Sequence, residues 1–296
     1  MADTLATNVS QLSQELIEAT VMQMPQVAPL MNLVERIDIP TGRSSVEIPR
    51  ANSTFSVQTP TEGDDVVESS QFDLTSTTIS PTLRAINIRI SERARYFSQQ
   101  DILRLVSQEL ARAQGQDVDT DISAEFANLG LAAGTTNTDL TISTLREARR
   151  KLQANAVASG GPAPDPIYTV LAPIPVENLL TNLGLQGVVP VGTATGQQFV
   201  SQGLSEEFIR QYFVDGLNLV GVGTFWDGYL TEDGSGDFIC SMHSRSALQL
   251  AMSKDWDMRQ FEESEWIGVI IRSVADYNSG VGKYPNWGVK VTADGA

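Results

Sequence analysis

The sequence predicts an α+β fold, and three stretches carry that expectation. Ser98 to Leu131 holds the longest helical pattern in the chain. Residues 44–91 alternate apolar and polar side chains in the manner of strands. From Ile167 onward, strand-like runs are separated by short helical ones, which suggests a mixed α/β unit.

In the long helical stretch, Ile102, Leu105, Val106 and Leu110 recur at three- and four-residue spacing and so share one face. Val118, Ile122, Phe126 and Leu129 resume the pattern. Ser98 suits an N-cap, with Asp101 three residues on in a variant of the capping box. A continuous helix here would run roughly 40–45 Å at about 1.5 Å per residue. Gly115 is expected to bend or break it near the middle. Two arrangements satisfy the pattern: a rod spanning the subunit, or a pair of helices inside an ordinary core.

Ahead of it, residues 1–35 read as two short amphipathic helices. Val9, Leu12, Leu16 and Ala19 share one face; after Pro25, Val27, Leu30, Met31 and Val34 share another. Such a segment packs on its own core or reaches onto a neighbour. Within 44–91, Val46 and Ile48, then Phe55 and Val57, alternate with polar residues, as do Ile86, Ile88 and Ile90. The stretch TPTEGDD between them is acidic and turn-rich. The expectation is a long two-stranded excursion with its tip near Gly63. An isolated hairpin is marginal in water, so one this long is expected to lie on something else, with a neighbouring subunit the natural candidate.

After a Gly/Thr link, Thr141 is expected to cap a second helix in which Ile142, Leu145, Ala148 and Leu152 lie near one face. Arg146, Arg149, Arg150 and Lys151 make it the most basic stretch, either a solvated face or a contact for acidic neighbours or nucleic acid. SGGPAPDP reads as a linker or extended loop. Beyond it come a strand (IYTVLAP), a short helix from Val176 to Leu183, Gly/Thr-rich loops over 184–203 and a short helix from Ser205 to Phe213. Strands at LNLVGVG and DFICSM follow, then a short helix in SRSALQLAM and a strand from Glu265 to Asn278 that returns to the main body. There is no internal repeat.

The 296 residues are 41% hydrophobic and 19% charged, a balance that allows a large core and argues against global disorder. The net charge of −16 opposes tight binding to phosphate backbones, which requires Lys and Arg to displace counterions. The single cysteine, Cys240, rules out an intrachain disulfide and fits a reducing compartment. MADTLATNVSQ lacks the basic and apolar regions of a signal peptide. No run of about 18 apolar residues marks a transmembrane helix, so no membrane partner is expected.

Catalytic and metal-binding patterns do not converge in the sequence. His243 is the only histidine, so any Ser–His–Asp or Cys–His site would have to use it. Cys240 and His243 form a C-x-x-H pair, but zinc needs three or four ligands and no second cluster exists. Asp233 to Asp237 (DGSGD) mimics the start of an EF-hand loop; Phe238 then stands where glycine is needed and Ser244 where glutamate is needed, which favours a hairpin turn. Gly221 and Gly223 begin a G-x-G, but Trp226 replaces the third glycine, and no P-loop pattern occurs. Carboxylates are plentiful, yet no spacing singles out a glycosidase pair. The expectation is a protein with no catalytic residue, no cofactor and no metal.

The order of these segments resembles the major capsid protein of tailed bacteriophages, the HK97-type fold, over nearly the whole chain. The resemblance implies an N-terminal arm (1–43), an extended β-hairpin loop (44–91), and a peripheral domain (92–172) with a spine helix at 98–130. An axial domain (173–259) and a C-terminal return through the peripheral domain (260–296) complete it. It rests on element order, with TISTLREARRKLQANAVASGGPAPDPIYTVLAP and the closing EESEWIGVIIRSVADYNSGVGKYPNWGVKVTADG as its clearest parts.

That family implies a subunit of a virion capsid, assembled in the host cytoplasm. Its copies form hexamers and pentamers of an icosahedral shell, with packaged double-stranded DNA held without sequence specificity. Scaffold, portal and decoration proteins are the implied partners. Only 97 residues precede Ser98, so the expectation is a separate scaffold protein or none. Candidate inter-subunit contacts are Glu62, Asp64 and Asp65 at the loop tip and Arg146, Arg149, Arg150 and Lys151 on the basic helix. Some members cross-link a loop Lys to a neighbour's Asn; 44–91 contains no Lys, and its Arg50, Arg84 and Arg89 are poor nucleophiles. An encapsulin-type compartment with the same fold, and a soluble carboxylate-dependent hydrolase, are the alternatives.

Overall fold

The computed structural model describes residues 28–51, 59, 62, 74–91, 102–156, 159–179, 218–219, 222–230, 232–262 and 268–295. The chain divides into two compact units that interleave in sequence. The first comprises Met1–Val46, Thr78–Ile122 and Leu250–Gly280; the second comprises Glu47–Thr77, Ser123–Gln249 and Val281–Ala296.

The first unit is a long helix on a four-stranded sheet. The helix α1 spans Ile102–Ala124, about 35 Å at the usual rise of about 1.5 Å per residue. The sheet runs in the order β1 (Glu35–Asp38), β10 (Leu248–Glu262), β11 (Gly268–Val281), β4 (Thr82–Ser91). β4 and β11 are antiparallel over ten residue pairs, from Ser91 opposite Gly268 to Thr82 opposite Tyr277. Ile90, Leu110, Met258 and Ile271 form the buried seam between helix and sheet, flanked by Ile86, Ile88 and Val106. Each such side chain, fully buried, contributes about 1.5–3 kcal/mol.

The same seam carries a polar clamp. Arg84 Nη2 lies 2.9 Å from Asp121 and Nη1 lies 3.8 Å from Asp117. The Tyr277 hydroxyl donates to Asp117 at 2.5 Å, with the Arg84 guanidinium 5.7 Å from its ring centre. Asp121 also accepts from the Ser279 amide, and Gln114 donates to the Ser273 hydroxyl at 2.7 Å. Burial, then the hydrogen bond to Asp117, push the Tyr277 hydroxyl pKa upward, so it stays a donor.

Several expectations change here. α1 runs unbroken through Gly115. The glycine costs only about 1 kcal/mol in a helix, and Leu110, Ala111, Gln114, Val118 and Ile122 are buried on either side of it. The α-helix ends at Ala124 and a 3-10 turn, Glu125–Asn128, carries the buried Phe126. Leu105 is 53% exposed, since the sheet contacts the Val106–Leu110 side of the wheel. The expected cap at Ser98 lies outside the described residues.

β4 does not belong to a two-stranded excursion. It is paired along its length with β11, so among the described residues the ribbon is formed by β2 (Val46–Ala51) and β3 (Leu74–Ile79). The expected arm helix after Pro25 reduces, in the described part, to a 3-10 turn at Pro29–Asn32 followed by β1. SRSALQLAM contains only a 3-10 turn, Arg245–Ala247, before β10 begins. A helix would need a polar face there, whereas Leu248, Leu250, Ala251 and Met252 are all buried.

The second unit holds a mixed six-stranded sheet. Its order is β5 (Leu131–Ala133), β12 (Gly288–Asp294), β9 (Asp237–Ser244), β6 (Ile167–Leu171), β8 (Val222–Trp226), β7 (Asn218–Leu219). The pairs β5–β12 and β6–β8 are parallel. The helix α2 (Ile142–Gln153) packs on β12 and β5 through Leu145, Ala148 and Leu152. Thr141 caps it, accepting from the Thr144 amide as predicted. α2 and β6 therefore belong with this sheet, whereas the segment boundaries 92–172 grouped them with the long helix.

Of the two readings of SGGPAPDP, the extended loop holds, and its carbonyls are tied down. Asn155 donates to the Ser159 and Gly161 carbonyls, Ser244 donates to the Pro164 carbonyl, and Trp287 donates to the Gly160 carbonyl. Gly160 has φ +98°, and a Cβ there would sit 2.5 Å from the Tyr284 ring, so only glycine fits.

Replacing Tyr277 by Phe keeps the buried ring and removes the donor to Asp117. The expected loss is about 1–2 kcal/mol of stability in urea unfolding. An unchanged midpoint would contradict the clamp.

Candidate assembly surfaces

The basic residues of α2 separate into two groups. Arg146, Arg149 and Arg150 are spaced i, i+3, i+4 and form one stripe; Arg146 and Arg150 are exposed, and Arg149 is half-buried at the edge of the face of Leu145, Ala148 and Leu152. None of the three makes an ion pair within 4 Å of a described carboxylate. Lys151 lies off this stripe and is occupied within the chain: its Nζ donates to the Ala132 carbonyl at 2.6 Å and pairs with Glu147 at 2.8 Å. The Lys151 hydrogen bond holds the Glu147 carboxyl below the usual carboxylate range. Lys151 therefore anchors α2 to β5, leaving three arginines as the outward stripe.

Of the acidic candidates, Glu62 lies exposed in a turn. Asp64 and Asp65 lie outside the described residues. Glu62 makes no ion pair with the α2 arginines.

A second charged surface escaped the sequence reading. On β10 and β11, Lys254, Asp257, Arg259, Arg272 and Val274 line a recess of about 220 Å³. Asp257 accepts from Lys254 at 2.9 Å and from Arg259 at 3.1 Å, and these two hydrogen bonds, Lys254 first, hold its carboxyl below the usual range. Asp257 and Arg259 flank Met258, and Arg272 and Val274 alternate with Ile271 and Ser273, so these four lie on the sheet face away from α1. The signal was the period-two alternation of SKDWDMRQ, obscured by assigning a helix just before it.

The catalytic and metal patterns come apart. Cys240 and His243 differ by three positions on β9 and therefore point to opposite faces of the sheet. The Cys240 thiol accepts from the Ala172 amide at 3.5 Å, and burial pushes its pKa up to about 12. His243 Nδ1 lies 3.0 Å from the Ser241 hydroxyl, and its ring is 5.8 Å from Phe126. DGSGD is a hairpin turn, as expected. Asp233 accepts from the Ser235 and Asp237 amides, and Gly236 takes φ +84°. Among the described residues, no group of three or more His, Cys, Asp or Glu side chains is placed to hold a metal.

At the end of β8, Phe225 and Trp226 are 37% and 45% exposed. The next residue, Asp227, is buried and accepts from the Tyr229 amide at 2.9 Å through one oxygen only. Burial raises its carboxyl pKa.

No family model matches the chain, and no curated protein matches it. Solved structures do. The capsid of the cyanophage P-SCSP1u superposes with a TM-score of 0.64 at 16% identity, covering 89% of this chain and 87% of that one. The structure of Mycobacterium phage Che8 matches with a TM-score of 0.63 at 15% identity, over 88% and 89%. The SrpI encapsulin of Synechococcus elongatus matches with a TM-score of 0.61 at 9% identity, over 90% and 86%. The chain thus has the HK97-type fold of phage capsids and encapsulins.

The buried Asp227 has a pH signature. Its pKa is raised on folding, so the native state holds a proton that the unfolded chain releases. Stability then falls as pH rises from the ordinary carboxylate range through the raised value. Asp227→Asn is expected to raise the melting temperature more at pH 7 than at pH 4. An equal shift at both pH values, or a loss at pH 7, would contradict this.

Proposed function

We propose that the chain is the major capsid protein of a tailed bacteriophage, which self-assembles into hexamers and pentamers of an icosahedral shell around double-stranded DNA. The observation that carries this reading is the likeness to phage capsids over nearly nine-tenths of both chains. The unit of α1 and the four-stranded sheet serves as the peripheral domain and the six-stranded unit as the axial domain. The β2–β3 ribbon serves as the extended loop and residues 1–43 as the arm. The net charge of −16 suits a wall that contains DNA without gripping it. The protein carries out no catalysis, its place is the virion capsid, and its partners are further copies of itself with separate scaffold, portal and decoration proteins.

The stripe of Arg146, Arg149 and Arg150 faces acidic neighbours in the shell. Reversing Arg146 and Arg150 to Glu leaves the fold intact, because both are exposed, and is expected to lower particle yield at least several-fold in sedimentation. Unchanged yield and nucleic-acid content would return the stripe to a solvated face.

An encapsulin shell is the second reading, favoured by the match to the SrpI complex. Native particles treated with nuclease decide between the two: protected DNA supports the phage capsid, and a protein cargo without DNA supports the compartment. Particles boiled in detergent with reductant are expected to run as one band near 32.1 kDa. The four lysines, Lys151, Lys254, Lys283 and Lys290, all lie outside the excursion. A ladder of covalent multimers would contradict this.

A further inference from the structure

The geometry points to a calcium-type cation site at the end of the β9–β12 pair, with Asp237 and Asp294 as its carboxylate ligands. The inference does not depend on the shell reading above.

Strand register brings the two carboxylates together. Asp237 and Asp294 are direct partners across the antiparallel pair. Their side chains therefore leave the sheet on the same face, from Cα atoms roughly 4.5–5.5 Å apart. Like charges placed directly opposite weaken a strand pair, and a cation held between them reverses that effect.

The second observation is Asp237 itself, which is fully buried. Its Oδ1 accepts from the Asn137 amide at 2.8 Å. Its Oδ2 is buried and has no hydrogen-bond partner among the described residues. None of the ion pairs among the described residues includes Asp237. Burying an ionised carboxylate is costly unless a counter-charge meets it, and a cation at Oδ2 supplies that charge.

The surroundings suit a hard cation. The carbonyls of Thr138 and Gly236 flank the pair, accepting from the Asp294 and Gly295 amides at 3.0 and 3.1 Å, and each keeps a second lone pair. Asp233 accepts from the Asp237 amide at 3.1 Å and adds negative potential from the turn. Carboxylate and carbonyl oxygens select calcium or magnesium over softer metals. Calcium accepts an irregular shell of about 6–8 oxygens, whereas magnesium demands near-ideal octahedral geometry, so calcium is the better fit. Two carboxylates are fewer side chains than a closed metal cage uses, so carbonyls and water complete the shell. The ion would tie together the link before α2, the turn into β9 and the end of β12.

The test is equilibrium dialysis of the full-length chain against radioactive calcium in millimolar magnesium, after EDTA treatment, with thermal melts alongside. Wild type is expected to retain one calcium per chain and to melt higher with calcium than with EDTA. Asp237→Asn and Asp294→Asn each remove a ligand charge and are expected to weaken binding roughly tenfold or more. Asp255→Asn removes an exposed carboxylate on β10 and is expected to bind as wild type does. Asp294 is only half-buried, so its variant carries the test if Asp237→Asn does not fold. Wild type that retains no calcium would overturn the proposal and leave Oδ2 of Asp237 to water. Equal binding by Asp294→Asn and Asp255→Asn would overturn it too, placing any bound calcium elsewhere on the acidic surface.

Discussion

The first unit depends on the seam between α1 and the four-stranded sheet. Its strands come from three separated stretches, at 35–38, 82–91 and 248–281. No hairpin turn brings β1 or β4 to its neighbour, so non-local contacts add both strands to the β10–β11 pair. The seam supplies both an apolar part, Ile90, Leu110, Met258 and Ile271, and a polar part, Arg84 with Asp117, Asp121 and Tyr277. Apolar burial provides most of the free energy and also specifies register, since a one-residue slip of β4 would turn Ile86, Ile88 and Ile90 out of the seam. The clamp reinforces that register, because the same slip would turn Arg84 to the opposite face, away from both carboxylates. Folding dominated by such long-range pairings is slow in general.

Charge is distributed with the same economy. The chain is strongly acidic, and six of its twenty basic residues form two clusters: Arg146, Arg149 and Arg150 on α2, and Lys254, Arg259 and Arg272 on β10 and β11. Lys151, which sequence position groups with the stripe, is instead used to hold α2 to β5.

Much of the architecture was legible in the sequence because it rests on periodicity. Ile86, Ile88 and Ile90 alternate, and they do face the seam; Leu145, Ala148 and Leu152 repeat at helical spacing, and they are buried; Thr141 caps. What was not legible depends on partners distant in sequence. β4 looked like one arm of a hairpin because its pairing with β11, nearly two hundred residues away, leaves no local mark. Gly115 looked like a break because local propensity omits the buried residues that hold the helix straight. SGGPAPDP read as a linker or an extended loop because composition does not reveal that Asn155, Ser244 and Trp287 bind its carbonyls. Of the charged surfaces, the basic helix was legible from its run of Arg146, Arg149, Arg150 and Lys151, but not the separate use of Lys151, nor the recess, whose residues converge only across two paired strands.

Cryo-electron microscopy of purified particles decides whether this chain serves as a repeating shell subunit. Closed icosahedral shells are expected, with the β2–β3 excursion of each subunit in contact with another. A protein that stays monomeric at high concentration, or particles in which each excursion contacts only its own subunit, would contradict it.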